Sequence, residues 1–304
     1  MNIYQGGHMT ASTTDGLRSS KLLFLKLLRI KHYVKNVLIF FPLIFGKKLF
    51  ELPLLINAIC GFAAFSFIAS VVYIINDIRD VEENRAHPTK CKRPIASGAI
   101  KKKTAVITAV VLFVLSATMN YLAAGLTLSS WVILLGYFAL NLGYSFGLKK
   151  IPLLDVAILA SGFLLRLLYG SSITGIQLSA WLCLTTVLAS FYLGFGKRRN
   201  EYTLETDNKR EVFNAYNYSF LDKSMHMCMT LALTFYSLWT MDISKGSNTA
   251  LIWTVPFLLL IVLKYNFNIE KNADGDPTEV IFGDHILLLM ILIYVVVMFL
   301  ILYC

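Results

Sequence analysis

The sequence predicts an all-α integral membrane protein, a bundle of about nine transmembrane helices with a cytoplasmic N-terminus. Three observations carry this expectation. Of the 304 residues, 57% are hydrophobic and only 15% charged, outside the range of ordinary soluble domains. Apolar stretches of about twenty residues recur, each long enough to cross a hydrocarbon core of roughly 30 Å as a helix. The Lys and Arg residues gather in alternate connecting segments, as the positive-inside rule requires. A soluble all-helical protein would need polar helix faces, which these stretches lack.

In chain order, the expected spans are Val34–Phe50, Pro53–Asn76, Thr104–Ala124, Leu126–Phe146, Ile151–Ile173, Leu178–Gly196, Met225–Ile243, Thr249–Tyr265 and His285–Tyr303. The first is short and holds Pro42. Basic residues precede the first span and follow the second, fourth, sixth and eighth, as in Lys101-Lys-Lys103, Lys149-Lys150, Lys197-Arg-Arg199 and Lys264. The intervening loops are short and nearly uncharged apart from Lys47-Lys48 and Lys245. This bias places the N-terminus inside and the C-terminus outside, in a multi-pass protein of the cell (inner) membrane. The net charge of +10 is then a topological signature. Nucleic-acid binding is excluded, because no basic, aromatic-interleaved soluble module is present to carry it.

Residues 1–20 are small and polar and are expected to be disordered, without a signal-peptide pattern. Residues 21–304 form one membrane domain whose hydrophilic segments, 77–103, 197–223 and 266–284, face the cytoplasm. Gly61, Gly143, Gly162, Gly170 and Gly194 lie within or beside spans, where small residues let helices approach. Cys60, Cys91, Cys183, Cys228 and Cys304 show no Cys-x-x-Cys pair or His/Cys spacing, so neither zinc nor a disulfide is expected.

The most informative segment is Asn76–Gly98, where acids and then bases follow the apolar run ending at Ile75. Asp77, Asp80 and position 84 recur at i, i+3 and i+7 and share one helix face. Two carboxylates a turn apart at a membrane edge suit Mg²⁺, which fills its remaining positions with water and phosphate oxygens. Nearby bases would hold the negative charge left over. A solvated positive-inside loop is the plainer account, but it needs no ordered pattern of acids before bases.

Asn76-Asp-Ile-Arg-Asp80 resembles the first motif of the UbiA superfamily of intramembrane transferases, Asn-Asp-x-x-Asp-x-x-x-Asp. His87-Pro-Thr-Lys90 and Arg93-Pro-Ile-Ala-Ser-Gly98 are similar to its polyprenyl-phosphate phosphoribosyltransferase branch. The likeness runs from about Leu28 to about Tyr218 and is strongest at Asn76–Gly98. One departure stands out: the motif's last Asp is Asn84 here. Glu83, three residues from Asp80, would supply the missing charge.

Further clusters fall at cytoplasmic span ends, so that they could converge on one cavity. Lys35-Asn36, within Arg29-Ile-Lys-His-Tyr-Val-Lys-Asn36, resembles the family's Arg-Pro-x-x-Trp-x-Lys-Asn, although Lys35 also suits a snorkelling interface lysine. Tyr144 and Lys149 resemble the family's Tyr-x-x-x-x-Lys phosphate donors, although an aromatic-belt Tyr and an interface Lys look the same. Asp155 and Arg166 lie eleven residues apart, roughly three turns and about 16 Å along one helix face. Ionisable residues at such positions usually face a bundle interior or an aqueous cavity, although Arg166, a turn from the end of its span, also suits snorkelling to the outer surface. Lys197, Arg198 and Arg199, followed by Glu201, stand where aromatic-acceptor prenyltransferases of the superfamily carry a second set of Asp residues. Extra bases suit a site that handles both a diphosphate sugar and a lipid phosphate.

The resemblance implies transfer of 5-phosphoribosyl from phosphoribosyl diphosphate to a polyprenyl phosphate, with Mg²⁺ as cofactor. It implies that Asp77 and Asp80 bind Mg²⁺, with Asn76, Glu83 or Asn84 completing the site. Lys90, Arg93, Tyr144 and Lys149 would hold diphosphate or 5-phosphate oxygens. Lys35 and Lys197–Arg199 would hold the 5-phosphate or the lipid phosphate, with Asn36, Asp155, Arg166 and Glu201 in the same site. The alternative within the superfamily is transfer of a prenyl group from a prenyl diphosphate to an aromatic or quinone precursor. A transporter of an anionic metabolite would need polar residues threaded through the bilayer rather than gathered at one edge.

Overall fold

Every regular element among the described residues of the computed structural model is helical. It describes residues 22–87, 89–203, 211–242, 249–271 and 277–304. The N-terminal segment 1–20 lies outside the described residues, as do Pro88 of the His-Pro-Thr-Lys stretch and Lys245. The helices are α1 (22–28), α2 (Phe41–Phe45), α3 (Leu52–Arg79), α4 (Val81–Ala86), α5 (Lys102–Ala124), α6 (Leu128–Ser145), α7 (Leu154–Thr174), α8 (Ala180–Thr203), α9 (Tyr218–Met241), α10 (Thr254–Lys271), α11 (Pro277–Gly283) and α12 (His285–Tyr303).

Among the described residues seven helices are long and apolar enough to cross a membrane: α3, α5, α6, α7, α8, α12 and the stretch Ala250–Glu270, which takes in all but the last residue of α10. Two of the nine expected spans therefore read differently. Val34–Phe50 is not one helix but a 3₁₀ segment, Ile30–Phe40, followed by the short α2. Pro42 falls in the first turn of α2, where its missing N–H costs nothing; inside a longer helix it would break a hydrogen bond and clash. Helix α9 has the length of a span but carries Asp222, Lys223, His226 and several hydroxyls. The Thr230 and Thr234 hydroxyls bond the carbonyls of His226 and Thr230, four residues back, which satisfies them within the helix.

The chain divides into two compact units. One comprises Met1–Val34 and Ala63–Met119; the other comprises Lys35–Phe62 and Asn120–Cys304. In the first unit, hydroxyls pin the N-terminal segment and α5 to α3. The Ser70 hydroxyl donates to Leu28 O at 2.8 Å and pairs with the Tyr33 hydroxyl at 2.8 Å. The Ser116 hydroxyl donates to Ala64 O at 2.8 Å. Such side chains use in-helix carbonyls as acceptors where water is absent.

In the second unit α7 packs on α6 and α8, α8 on α9, and α10 on α12. A core of Val156, Tyr192, Phe195, Leu221, Met225, Tyr265, Ile269 and Leu287 joins α7, α8, α9, α10 and α12. Gly170 is required for close approach: a Cβ there would lie 2.2 Å from the Ile39 carbonyl oxygen. The outer faces are apolar, with Ile286, Leu289, Leu292, Val296 and Leu300 of α12 all exposed. Contiguous surface of that kind is unstable in water and suits lipid.

Candidate active site

In the first unit the polar residues gather where α3 ends. Asp80 terminates α3 and precedes α4, yet Asp80 N donates to Asn76 O and Asn84 N to Asp80 O, so the helical spacing of the motif is preserved. Asp77 is buried, and its Oδ1 accepts from Arg29 Nη2 at 2.6 Å and from Arg93 Nη1 at 2.9 Å. Arg93 Nη1 also donates to Asn84 Oδ1 at 3.1 Å. Burial, and then the neighbouring Arg29 guanidinium, push the Arg93 pKa down, with Asp77 opposing. The Arg29 guanidinium also lies over the Tyr73 ring, 4.8 Å from its centroid. His87 Nδ1 accepts from the backbone N–H groups of Thr89 and Lys90 and so shapes the turn that carries Lys90. Glu83 is exposed and Asn84 buried.

In the second unit the basic cluster divides. Arg198 is buried, and its Nε donates to Asp155 Oδ2 at 2.6 Å and its Nη2 to the Tyr144 hydroxyl at 2.9 Å. Its Nη1 pairs with Glu201. The Tyr216 hydroxyl donates to the other Asp155 oxygen at 2.7 Å and accepts from Leu153 N at 2.6 Å. Burial above all, and then the bond to Asp155, push Tyr216 up to about 12. Because Tyr144 accepts from Arg198, its own O–H remains to donate to a further acceptor.

Arg199 turns to different acids, Asp222 of α9 and Glu270 of α10, and lies over the Tyr218 ring. Arg166 is buried; its Nε donates to Asn36 Oδ1 at 2.6 Å, its Nη1 to Gly162 O at 2.6 Å and its Nη2 to the Tyr137 hydroxyl at 3.2 Å. Arg166, Arg198 and Arg199, expected to meet substrate, are each buried and hydrogen-bonded to groups of the chain itself. Asp155 and Arg166 share α7 but belong to separate clusters. Lys35, Lys149 and Lys197 are partly exposed.

The pattern of the UbiA prenyltransferase family matches residues 39–283. The chain belongs to this family. Within it, the chain is 38% identical over 280 residues to decaprenyl-phosphate phosphoribosyltransferase of Corynebacterium glutamicum, covering 89% of this chain and 84% of that protein. It is 32% identical to the Mycobacterium tuberculosis protein of the same name, covering 89% and 91%. Among solved structures, a UbiA homolog from Archaeoglobus fulgidus bound to GPP and Mg²⁺ superposes with a TM-score of 0.69 at 18% identity, over 93% of this chain and 100% of that one. This UbiA-family chain is a transferase and a multi-pass membrane protein.

Among the described residues of this UbiA member, no three His, Cys, Asp or Glu side chains come together as a metal cage. Mg²⁺ needs none: it typically takes one or two carboxylates and completes its shell with water and substrate phosphate. Asp77 and Asp80, a turn apart beside the Asn76 amide, provide such a donor set. Both guanidiniums on Asp77 use Oδ1, and Oδ2 has no partner among the described residues. These residues fit an ion that arrives with a diphosphate.

Four contributors escaped the reading of site residues from sequence. Arg29 stands where the family's Arg-Pro-x-x-Trp-x-Lys-Asn motif has its Arg, and that match was its signal. Tyr216, Asp222 and Glu270 carry no motif. Charge balance alone, three adjacent bases at the end of α8, pointed to acids elsewhere that would have to neutralise them.

Proposed function

We propose that the chain transfers a 5-phosphoribosyl group from phosphoribosyl diphosphate to a polyprenyl phosphate, releasing diphosphate, from a site that opens to the cytoplasm. The observation that carries this reading is the joining of carboxylate and guanidinium around Asp77. A metal-bound diphosphate needs the carboxylate, and a sugar or lipid phosphate needs the guanidinium. The names of the relatives that match nearly nine-tenths of the chain support it.

In this reading Asp77 and Asp80, helped by Asn76, would hold Mg²⁺. The ion, when bound, neutralises the charge that develops on the leaving diphosphate. Arg93 and Lys90 hold diphosphate or 5-phosphate oxygens. Within the second unit, Tyr144, with its hydroxyl oriented by Arg198, offers a donor for a phosphate oxygen, and Lys35, Lys149 and Lys197 carry further positive charge. The acceptor phosphate is already ionised at neutral pH, so no strong general base is needed. Its oxygen attacks the anomeric carbon as the bond from that carbon to the diphosphate oxygen breaks, inverting the configuration. The fold's contribution is positional, bringing a water-soluble donor to a lipid-tethered acceptor.

The second reading within the family, prenyl transfer to an aromatic acceptor, draws on the Archaeoglobus fulgidus homolog structures bound to DMAPP or GPP. The two separate in one assay. Purified protein with labelled phosphoribosyl diphosphate, polyprenyl phosphate and Mg²⁺ should yield a labelled lipid. A labelled product only from prenyl diphosphate and an aromatic acid would replace the first reading by the second.

A further inference from the structure

Arg29 has no role in the reading above, yet the chain distorts its backbone at this residue. Its φ is +53°, a left-handed conformation that costs a non-glycine residue about 1 kcal/mol or more. It joins α1 to the 3₁₀ segment there, and its guanidinium reaches the buried Asp77 while lying over Tyr73.

A guanidinium that merely neutralises a carboxylate does so best as a fork, two parallel N–H groups on two oxygens. Here two guanidiniums meet one oxygen, each by a single terminal nitrogen. Arg93 spends a second N–H on Asn84, and the Arg29 side chain makes no other hydrogen bond among the described residues. Each side chain has five N–H donors, and most of those on both have no partner among the described residues. Both are largely buried, with 19% and 27% of the side chains exposed. Two cations held together by one shared anion, with their forks unspent, are arranged to receive a second anion with several oxygens.

We infer that Arg29 and Arg93 form a clamp for a phosphoryl anion, assembled by Asp77 and independent of any metal ion. The inference rests on the reading of this unit as a phosphate-handling site and adds Arg29 to it. It also gives Asp77 a second task, with Oδ1 anchoring the guanidiniums. The shared chemistry is a phosphoryl group with at least two unesterified oxygens, which a diphosphate, a sugar phosphate and a lipid phosphate all offer.

The test is calorimetric titration of the full chain in detergent micelles with excess EDTA, using inorganic diphosphate, ribose 5-phosphate and a polyprenyl phosphate in separate arms. At least one should bind without metal, and Arg29→Gly and Arg93→Ala should each weaken it about ten- to a hundredfold. The arm that responds identifies the source of the phosphate. Arg29→Gly suits the purpose because glycine adopts this φ without strain, and an unchanged melting temperature would show that the fold survives. Arg29→Lys keeps the charge but not the fork and should recover only part of the binding. Binding that needs Mg²⁺ in every arm, or that Arg29→Gly leaves at the wild-type level, overturns the clamp. If transfer from phosphoribosyl diphosphate fails while chelated binding remains Arg29-dependent, the transferase reading falls and the clamp stands. Intact transfer with Arg29-insensitive binding removes the clamp alone.

Discussion

Arg198 and Asp155 form an ion pair sealed from solvent, Nε to Oδ2 at 2.6 Å, with both side chains at most 1% exposed. Two charges taken out of water need excellent geometry and further hydrogen bonds to repay the desolvation. Both needs are met here. Tyr216 bonds the second Asp155 oxygen, and Glu201 and Tyr144 take the remaining faces of the guanidinium. The pair joins the start of α7, the end of α8 and the end of α6, so helix packing and the orientation of Tyr144 depend on one cluster.

Removing either member leaves a buried charge without its partner. Arg198→Ala and Asp155→Ala should each cost about 3–5 kcal/mol, read as a large fall in melting temperature in detergent. The double substitution Asp155→Ala with Arg198→Ala should cost less than the two single changes added together. Additive losses would mean that the two residues act separately.

Tyr216→Phe deletes one hydroxyl that serves two partners. It leaves the Leu153 N–H and one Asp155 oxygen short of a hydrogen bond, for a loss of about 1–3 kcal/mol. Leu153 itself has a φ of +66°, so Leu153→Gly in the same background should return about 1 kcal/mol by removing the strain. Thermal unfolding of the two variants checks both signs. If Tyr216→Phe matches wild type, the hydroxyl is not holding the turn.

At the first cluster, Asp77→Ala and Asp80→Ala should lower turnover about a hundredfold or more, since each removes a carboxylate that would hold Mg²⁺ at the proposed diphosphate site. Glu83→Gln should have little effect, because Glu83 is exposed. Asn84→Asp should be tolerated, because a carboxylate there still accepts from Arg93. A Mg²⁺ titration of each variant decides the matter: a rightward shift for Glu83→Gln would make Glu83 a metal contact after all.

The helical membrane fold was legible because lipid demands long apolar helices whatever the function. The acid-then-base order of Asn76–Gly98 was legible because helix periodicity fixes which side chains share a face. The partners of the arginines were not. Arg198 and Arg199 are adjacent in sequence but about 100° apart around α8, so one reaches Asp155 and the other Asp222 and Glu270. Which acid each meets depends on helix packing between residues up to 71 positions apart, and no local spacing encodes that. The polar character of α9 follows from the same cause, since Asp222 has to lie opposite Arg199.

Arg199 therefore gives a prediction opposite to that for a substrate ligand. It ties α8 to α9 through Asp222 and to α10 through Glu270, and both acids are partly exposed, at 33% and 58% of their side chains. Solvent screens them when the arginine is lost, so Arg199→Ala should destabilise by about 1–3 kcal/mol, less than Arg198→Ala. Arg199→Lys keeps the charge but has one nitrogen where two diverging contacts are made, and should fall between wild type and alanine. In the proposed transfer, the KM for phosphoribosyl diphosphate and that for polyprenyl phosphate should both stay within about twofold of wild type at a temperature where the variant is folded, because a packing strut contributes no ligand contact. A tenfold rise in either KM with an unchanged melting temperature would return Arg199 to the substrate site and make its pairing with Asp222 and Glu270 secondary.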